Sequence, residues 1–351
     1  MSAPTSRPGG GPYVLAPNQP RRPYRGGAGI AALRGTLQID DHRPEDFLAS
    51  TTSAYGTADV GQSRLPDGTA LRDAVEQDPE WFLGAEHVRR HGSSTQLLVK
   101  LINPGQRLFA HLHPDDDYAR RRLDEPNGKT EAWVVVDAPA EGATAYLGFR
   151  EEVGPADVAR WVDHGDTGDL LGRMNEVELA VGDAFLVPAG LAHALAPGLT
   201  IVELQQPSDL SVLLEWRGFD GLTAESATLG LDAGEVFDAL ESTSRSAESL
   251  EALLVRRALS AEGGATSLLP AAADRFFRAD LLDTAREITL EPSFAVLVVV
   301  EGVGDLTWDD GTLGVGRGDV VLVPHGLGDV RVSGDLRAVR CRPPRVEPAG
   351  G

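Results

Sequence analysis

The sequence predicts an all-β fold, with two β-barrel (jelly-roll) domains and a helical elaboration. Forty glycines and 23 prolines are spread among short apolar runs, a pattern that suits a turn-rich β protein better than a helical bundle. From Leu97 to Trp216 the chain breaks into strand-like segments separated by turns. A weak internal repeat relates "VGDAFLVPAGLAHALA" at 181–196 to "RGDVVLVPHGLGDVRV" at 317–332, which makes the C-terminal half a related, smaller barrel. A chain of 351 residues is long enough for two such domains.

Residues 1–20 read as a flexible, Pro/Gly-rich leader, followed by "RRPYRGG", whose glycines indicate a turn. Arg21, Arg22 and Arg25 could form a cationic rim beside a ligand; the plainer reading is a solvated stretch offsetting an acidic body. "DHRPEDFLASTTSAYG" reads as strand and loop. A helical insertion is expected around 69–91, where Leu71, Val75, Trp81 and Phe82 have helical spacing. "TQLLVKLINPG" returns to β character, and the first barrel domain then runs across 21–216 through "TEAWVVVDAP", "ATAYLGF", "NEVELAVGDAFLVPAG" and "LTIVELQQPSDLSVLLEW". "PDDDYARRRLDEPNG" interrupts it as a short helix with an acidic start and a basic end. Arg120, Arg121 and Arg122 therefore read as a solvated helix end, with phosphate contact the sharper alternative. A mainly helical connector over 217–254 contains "DAGEVFDALEST", and the C-terminal barrel over 255–351 resumes with "ADRFFRADLLD" and "FAVLVVV".

Lys and Arg number 32 against 53 Asp and Glu, for a formal charge of -21. Such a surface disfavours nucleic acid and anionic membranes as partners, yet leaves room for a local cationic site taking a small anion. Cys341 is the sole cysteine, so no internal disulfide or cysteine-rich metal site can form. The first residues lack the apolar core of a secretory signal, and no apolar run reaches membrane-spanning length. A cytoplasmic protein is expected; its protein partners are not legible.

Chemistry is concentrated in three motifs. "GQRLFAHLH" carries His111 and His113, "GKTEAW" carries Glu131, and "GDAFLVPAGLAH" ends at His193. Residues two apart on a strand share a face, so His111 and His113 project together. Three imidazoles and a carboxylate form a first shell for one divalent transition metal. Residue types leave zinc, iron, manganese, nickel and cobalt open. This makes 21–216 the metal-binding domain. The C-terminal copy has Asp329 in place of His193 and no His-x-His segment, so it is degenerate and without a metal site, and His325 reads as structural or exposed.

Lys129 shares a face with Glu131 and could bind an anion or move a proton; Glu203 could orient His193 or contact substrate, with Gln205 a weaker candidate on the same face. Arg217 could supply positive charge to an enediolate or phosphate, or simply face solvent.

These residues make the chain resemble the type I mannose-6-phosphate isomerases of the cupin superfamily. The likeness is carried by "HLHPDDDYA", "GKTEAW", "VPAGLAHAL" and "VELQQPSD". It implies a bicupin of two barrels with a helical elaboration, interconverting mannose 6-phosphate and fructose 6-phosphate with zinc as the expected ion. By motif the metal ligands would be His111, His113, Glu131 and His193, with His111 where the family carries glutamine. The family's catalytic arginine position is matched by Leu213, leaving Arg217 as the substitute, and an "ECW"-like segment is altered to Glu45, Asp46 and Phe47. The resulting expectation is a metal-dependent aldose–ketose isomerase using a cis-enediol, with Lys129, Glu203 and Arg217 as catalytic candidates and a small sugar or sugar phosphate as substrate. The alternatives are a cupin enzyme acting on a different sugar or hydroxy-carbonyl compound, or a metal-containing carbohydrate-binding protein without turnover.

Overall fold

The computed structural model describes residues 10–38, 40–260 and 263–345, so residues 1–9 of the expected leader lie outside it. Later in that leader, Tyr13–Val14 forms a short strand that pairs antiparallel with Leu322 and Val321. No helix among the described residues is long and apolar enough to cross a membrane.

The expected all-β bicupin of two closed barrels is not what forms. Ten α-helices occur among the described residues, and the strands make three sheets of eight, six and five strands. None of these sheets closes. The six-stranded sheet ends on Leu254–Val255 at one edge and Glu45–Leu48 at the other, and the five-stranded sheet ends on Val212–Leu213 and Met174–Leu179. A barrel requires its first and last strands to pair, and local alternation of apolar residues carries no information about that.

The sheets stack in layers. The six-stranded sheet lies in the middle, and the alternation of its strands decides which neighbour each side chain meets. Leu101, Ala132, Val134, Val202 and Leu204 share an apolar core with Leu281, Val296, Val298, Leu322 and Val339 of the eight-stranded sheet. From the opposite face, Ile102, Trp133, Val135, Phe185 and Ile201 share a core with Ala145, Leu147, Leu195 and Leu213 of the five-stranded sheet. Burial on both faces explains why Leu98–Ile102 and Thr200–Gln205 are buried throughout.

Helices cover the outside. Leu71–Gln77, Pro79–Leu83 and Ala85–His91 occupy the region read as a helical insertion. Asp78 breaks the first from the second: its carboxylate accepts from the Trp81 N–H, and Pro79 opens the next helix. Helix Pro155–Val162 was not legible as an element, although Val158, Trp161 and Val162 stand at helical spacing and are buried. It packs with Ala233–Ala239 over Leu112, Phe149 and Ala194 of the five-stranded sheet.

The internal repeat has a structural basis. Gly182 and Gly318 both adopt left-handed φ, +91° and +92°, a region glycine enters without a Cβ clash. The following Asp183 and Asp319 each accept from a backbone N–H three residues earlier, Ala180 at 3.1 Å and Gly316 at 2.8 Å. Arg34 ties the layers together. It donates to the carbonyls of Leu15 (2.7 Å) and Gly318 (3.0 Å), and its Nε lies 3.4 Å from the buried Asp46 carboxylate in the central sheet.

Candidate metal centre

Strand pairing brings the three histidine motifs together. His111 lies opposite both His193 and Leu213 in the five-stranded sheet. Glu131 begins a strand of the central sheet, opposite Val187 and Gln205. The turn between Val187 and His193 is held by Gly190, whose N–H donates to the His113 carbonyl at 2.7 Å. The ligating nitrogens of His111, His113 and His193 all fall within 4.8 Å of one another. Glu131 completes one side, with Oε2 3.0 Å from His113 Nε2 and Oε1 3.3 Å from His193 Nε2.

The protonation pattern suits a cation. Nδ1 of His111, His113 and His193 faces the carbonyl of Phe109 (3.0 Å), Leu210 (2.7 Å) and Leu191 (2.8 Å) respectively. A carbonyl only accepts, so each Nδ1 carries the proton and each Nε2 its lone pair. Burial, then the neighbouring His193, holds His111 well below the ordinary imidazole range. Burial, then the Lys129 ammonium, pushes His113 down to about 3. Burial works to raise the Glu131 carboxyl, but Lys129 and His113 outweigh it and hold it well below the usual carboxylate range. His193 Nε2 is buried without a hydrogen-bond partner, an expensive arrangement unless a ligand takes up its lone pair. The donor set therefore fits one divalent ion.

Beside this cluster lies a cavity of about 230 Å³. On its central-sheet wall, alternation puts Lys100, Glu131, Trp133 and Glu203 on one face, with Glu203 opposite both Lys100 and Trp133. Trp133 Nε1–H donates to Glu131 Oε1 at 2.8 Å. Lys129 Nζ stands 2.9 Å from Glu131 Oε2, 3.1 Å from His113 Nε2 and 3.9 Å from Glu203 Oε1. Burial, reinforced by the charge of Glu131, pushes the Glu203 carboxyl up to about 8. The sign of the consequence is set by linkage. Between about 4.5 and 8 the folded protein keeps a proton on Glu203 that the unfolded chain releases, so this group costs stability as pH rises. In metal-free protein, Glu203→Gln is expected to leave stability unchanged at pH 4 and to stabilise progressively up to about pH 8; paired denaturation curves across that range check this.

Several cavity residues were not picked out from sequence. Arg22, for which a cationic rim beside a ligand was the sharper reading and a solvated stretch the plainer one, lines the cavity with its side chain 16% exposed: its Nη2 donates to Glu45 Oε2 (2.7 Å) and Asp209 Oδ1 (2.8 Å). Arg21 and Arg25 are exposed, as the plainer reading had them. Lys100 Nζ reaches Asp209 Oδ1 (2.7 Å) and Glu45 Oε2 (3.2 Å), and Tyr24 donates to Glu45 Oε1 (2.8 Å). A lysine inside the apolar run "LLVKLI" is the signal that could have exposed this network, because a charge in a buried strand needs a partner. Gln205 is buried on the same strand face and donates to the Ser208 carbonyl. Arg217 is exposed and does not line the cavity: its guanidinium lies 4.8 Å from the Trp216 ring centre. Leu213 does line it, and His325 sits far along the chain in a short 3-10 turn against Gly84.

Known proteins are similar to this chain in sequence and fold. Residues 264–343 match the family described as Mannose-6-phosphate isomerase, cupin domain. Mannose-6-phosphate isomerase ManA of Bacillus subtilis (strain 168) is 26% identical over 315 residues, spanning 88% of this chain and 92% of ManA. The chain is homologous to the mannose-6-phosphate isomerases of the cupin superfamily. The crystal structure of the Bacillus subtilis isomerase superposes with a TM-score of 0.70 at 21% identity, covering 94% of this chain and 99% of the other. A mannose 6-phosphate isomerase bound with zinc and yttrium superposes at 0.73 with 18% identity, covering 95% and 100%. At these identities the structural likeness is one of fold. The family match covers residues 264–343, whereas the histidine cluster is drawn from positions 111, 113 and 193.

Proposed function

We propose that this protein is a metal-dependent aldose–ketose isomerase acting on a mannose-type sugar, with His111, His113, Glu131 and His193 as metal ligands. The observation that carries the reading is the buried cluster of imidazole lone pairs opening onto a sugar-sized cavity, with Lys129 and Glu203 beside it. Zinc is the expected ion, supported by the zinc named with one structural relative; iron(II), manganese, cobalt and nickel accept the same donors. When bound, the ion polarises the sugar oxygens at C1 and C2.

The remaining chemistry falls to the chain. Glu203, whose carboxyl is pushed up to about 8 and whose Oε1 lies in the cavity 3.9 Å from Lys129 Nζ, is placed to take the proton from C2. Loss of that proton to Glu203, with the C2 hydroxyl proton passing to the C1 oxygen, gives a cis-enediolate. Glu203 then returns its proton to C1, which gives the ketose and regenerates the carboxylate. No external oxidant or reductant is involved. Lys129 steadies negative charge on the sugar oxygens and holds Glu131 and Glu203 apart. Arg217, outside the cavity, has no part in this scheme.

Mannose 6-phosphate, the compound named in the relatives, is the reference substrate, and D-mannose its unphosphorylated counterpart. Proton NMR of chelated and metal-reconstituted protein with each sugar is the direct test. Ketose formation from at least one of them, dependent on metal, is expected. A folded, metal-loaded protein that converts neither would remove the isomerase assignment and favour a carbohydrate-binding role.

A further inference from the structure

We propose that the C-terminal sheet holds an anion site, formed by Arg278, Arg340 and Arg342 and fitted to a phosphate-type dianion. These residues lie outside the cavity beside the histidine cluster, so the site stands apart from the isomerase reading. Arg340 and Arg342, 4% and 7% exposed, are two apart on the strand Val330–Arg342 and share a face. On the neighbouring strand Arg278–Asp283, Arg278 lies opposite Arg342 and Asp280 lies opposite Arg340. The internal repeat gives this patch a counterpart at the first site. Val187 and Val323 correspond, and they pair with Glu131 and Ala295 respectively. Two residues further along, Trp133 faces Glu203 in the first copy and Leu297 faces Arg340 in the second. Lys100 faces Glu203 across the next strand, as Asp280 faces Arg340. The second copy thus reverses the charges on the wall beside the first site. Carboxylate oxygens suit a cation, whereas guanidinium groups suit an oxyanion.

The arginines outnumber their counter-charges. Arg342 is ion-paired, to Asp280 Oδ2 at 2.5 Å and Glu291 Oε1 at 2.7 Å. Arg340 donates to the Glu291 carbonyl (2.9 Å) and Arg278 to the Pro343 carbonyl (3.1 Å); among the described residues neither has a carboxylate within ion-pair distance. Arg345 adds a further positive charge at the exposed rim. Like charges set directly opposite each other, as Arg278 and Arg342 are, destabilise a sheet. Burial, then Arg342, pushes Arg278 and Arg340 each down to about 10, the direction in which crowded, desolvated cations move. The Nε–H groups of Arg340 and Arg342 are also buried without an acceptor.

Four arginines against Asp280 and Glu291 leave the charge that one dianion neutralises. A tetrahedral phosphate accepts paired hydrogen bonds from guanidinium forks. Glu291 is the replaceable partner: its side chain is 62% exposed, so yielding Arg342 to an incoming anion costs little. Asp280, largely buried, stays to fix Arg342 in place. Inorganic phosphate and the terminus of a phosphate monoester share this chemistry.

The test titrates inorganic phosphate, and glycerol 3-phosphate as a monoester, into full-length protein in low-salt buffer, by calorimetry with thermal unfolding alongside. The protein is expected to bind at least one of them and to gain Tm as its concentration rises. Tighter inorganic phosphate makes the free ion the ligand, and tighter glycerol 3-phosphate makes it a monoester; either upholds the site. Arg278→Gln, a half-buried position, should weaken binding at least about tenfold, as should Arg340→Gln where circular dichroism shows it folded. Arg217→Ala, which removes an exposed arginine elsewhere, should leave the affinity unchanged. Glu291→Gln removes the competing carboxylate and should tighten binding about threefold; unchanged or weaker affinity in that variant counts against the site. Phosphate held by the cavity cations instead would survive Arg278→Gln. An affinity in Arg278→Gln equal to that of the parent protein, or no binding by the parent, overturns the proposal.

Discussion

Protein carrying His113→Ala should purify with little or no bound divalent metal and regain it poorly on reconstitution. His113 supplies one of three imidazole lone pairs that converge within 4.8 Å, and its ring is held in place by the Leu210 carbonyl. Losing a group that merely supports a ligand commonly lowers affinity 10–100-fold, so losing the ligand itself should cost at least about 100-fold. Elemental analysis of purified protein and competition against a chelator measure the effect, with circular dichroism confirming the fold. Full metal stoichiometry in the variant would remove His113 from the ligand set. Leu210→Ala makes a useful contrast, because the contact to His113 comes from the backbone carbonyl and survives side-chain truncation.

Arg34→Ala should be the most destabilising change outside the metal cluster, by about 3–5 kcal/mol, the usual cost of stripping one partner from a buried ion pair. The Arg34 side chain is 4% exposed and Asp46 is fully buried. Burial raises the Asp46 carboxyl even with Arg34 and the Asn18 N–H beside it. Without the guanidinium, Asp46 keeps only the Asn18 contact at 2.6 Å, while the Leu15 and Gly318 carbonyls lose their donors. The variant should recover part of its stability in acid, where Asp46 can take up a proton. Urea unfolding of Arg34→Ala and of Arg34→Ala with Asp46→Asn separates the two contributions. The double variant is expected to be the more stable, since it leaves no unpaired charge. A single-variant loss below about 1 kcal/mol would show that the pair is neutral to stability.

The histidine cluster was legible because its signals are local. Alternation along a strand puts His111 and His113 on one face, and short motifs carry Glu131 and His193. The cavity's charge network was not, because its members meet only through tertiary packing: Arg22 and Asp209 are 187 residues apart in sequence. Arg217 was offered as the next arginine after Leu213, but the strand ends at Leu213 and Arg217 is exposed. The same limit explains the fold. Glycine spacing and short apolar runs mark strands and turns, yet closure depends on which edges find each other, and here Glu45–Leu48 and Leu254–Val255 remain at opposite edges of an open sheet.

The pairing of Tyr13–Val14 with the strand Val320–Val323 has a consequence for biogenesis. A contact spanning some three hundred residues forms only after most of the chain has been synthesised, and long-range strand pairing is slow. Until then the sequence "VVLV" presents an apolar edge with unpaired backbone groups, the kind of template on which chains aggregate. The N-terminal strand thus acts as a latch that arrives first and engages last. Proteolytic clipping ahead of residue 15 would reopen that edge in otherwise folded protein and expose it to pairing with another chain, without touching a single residue of the cavity.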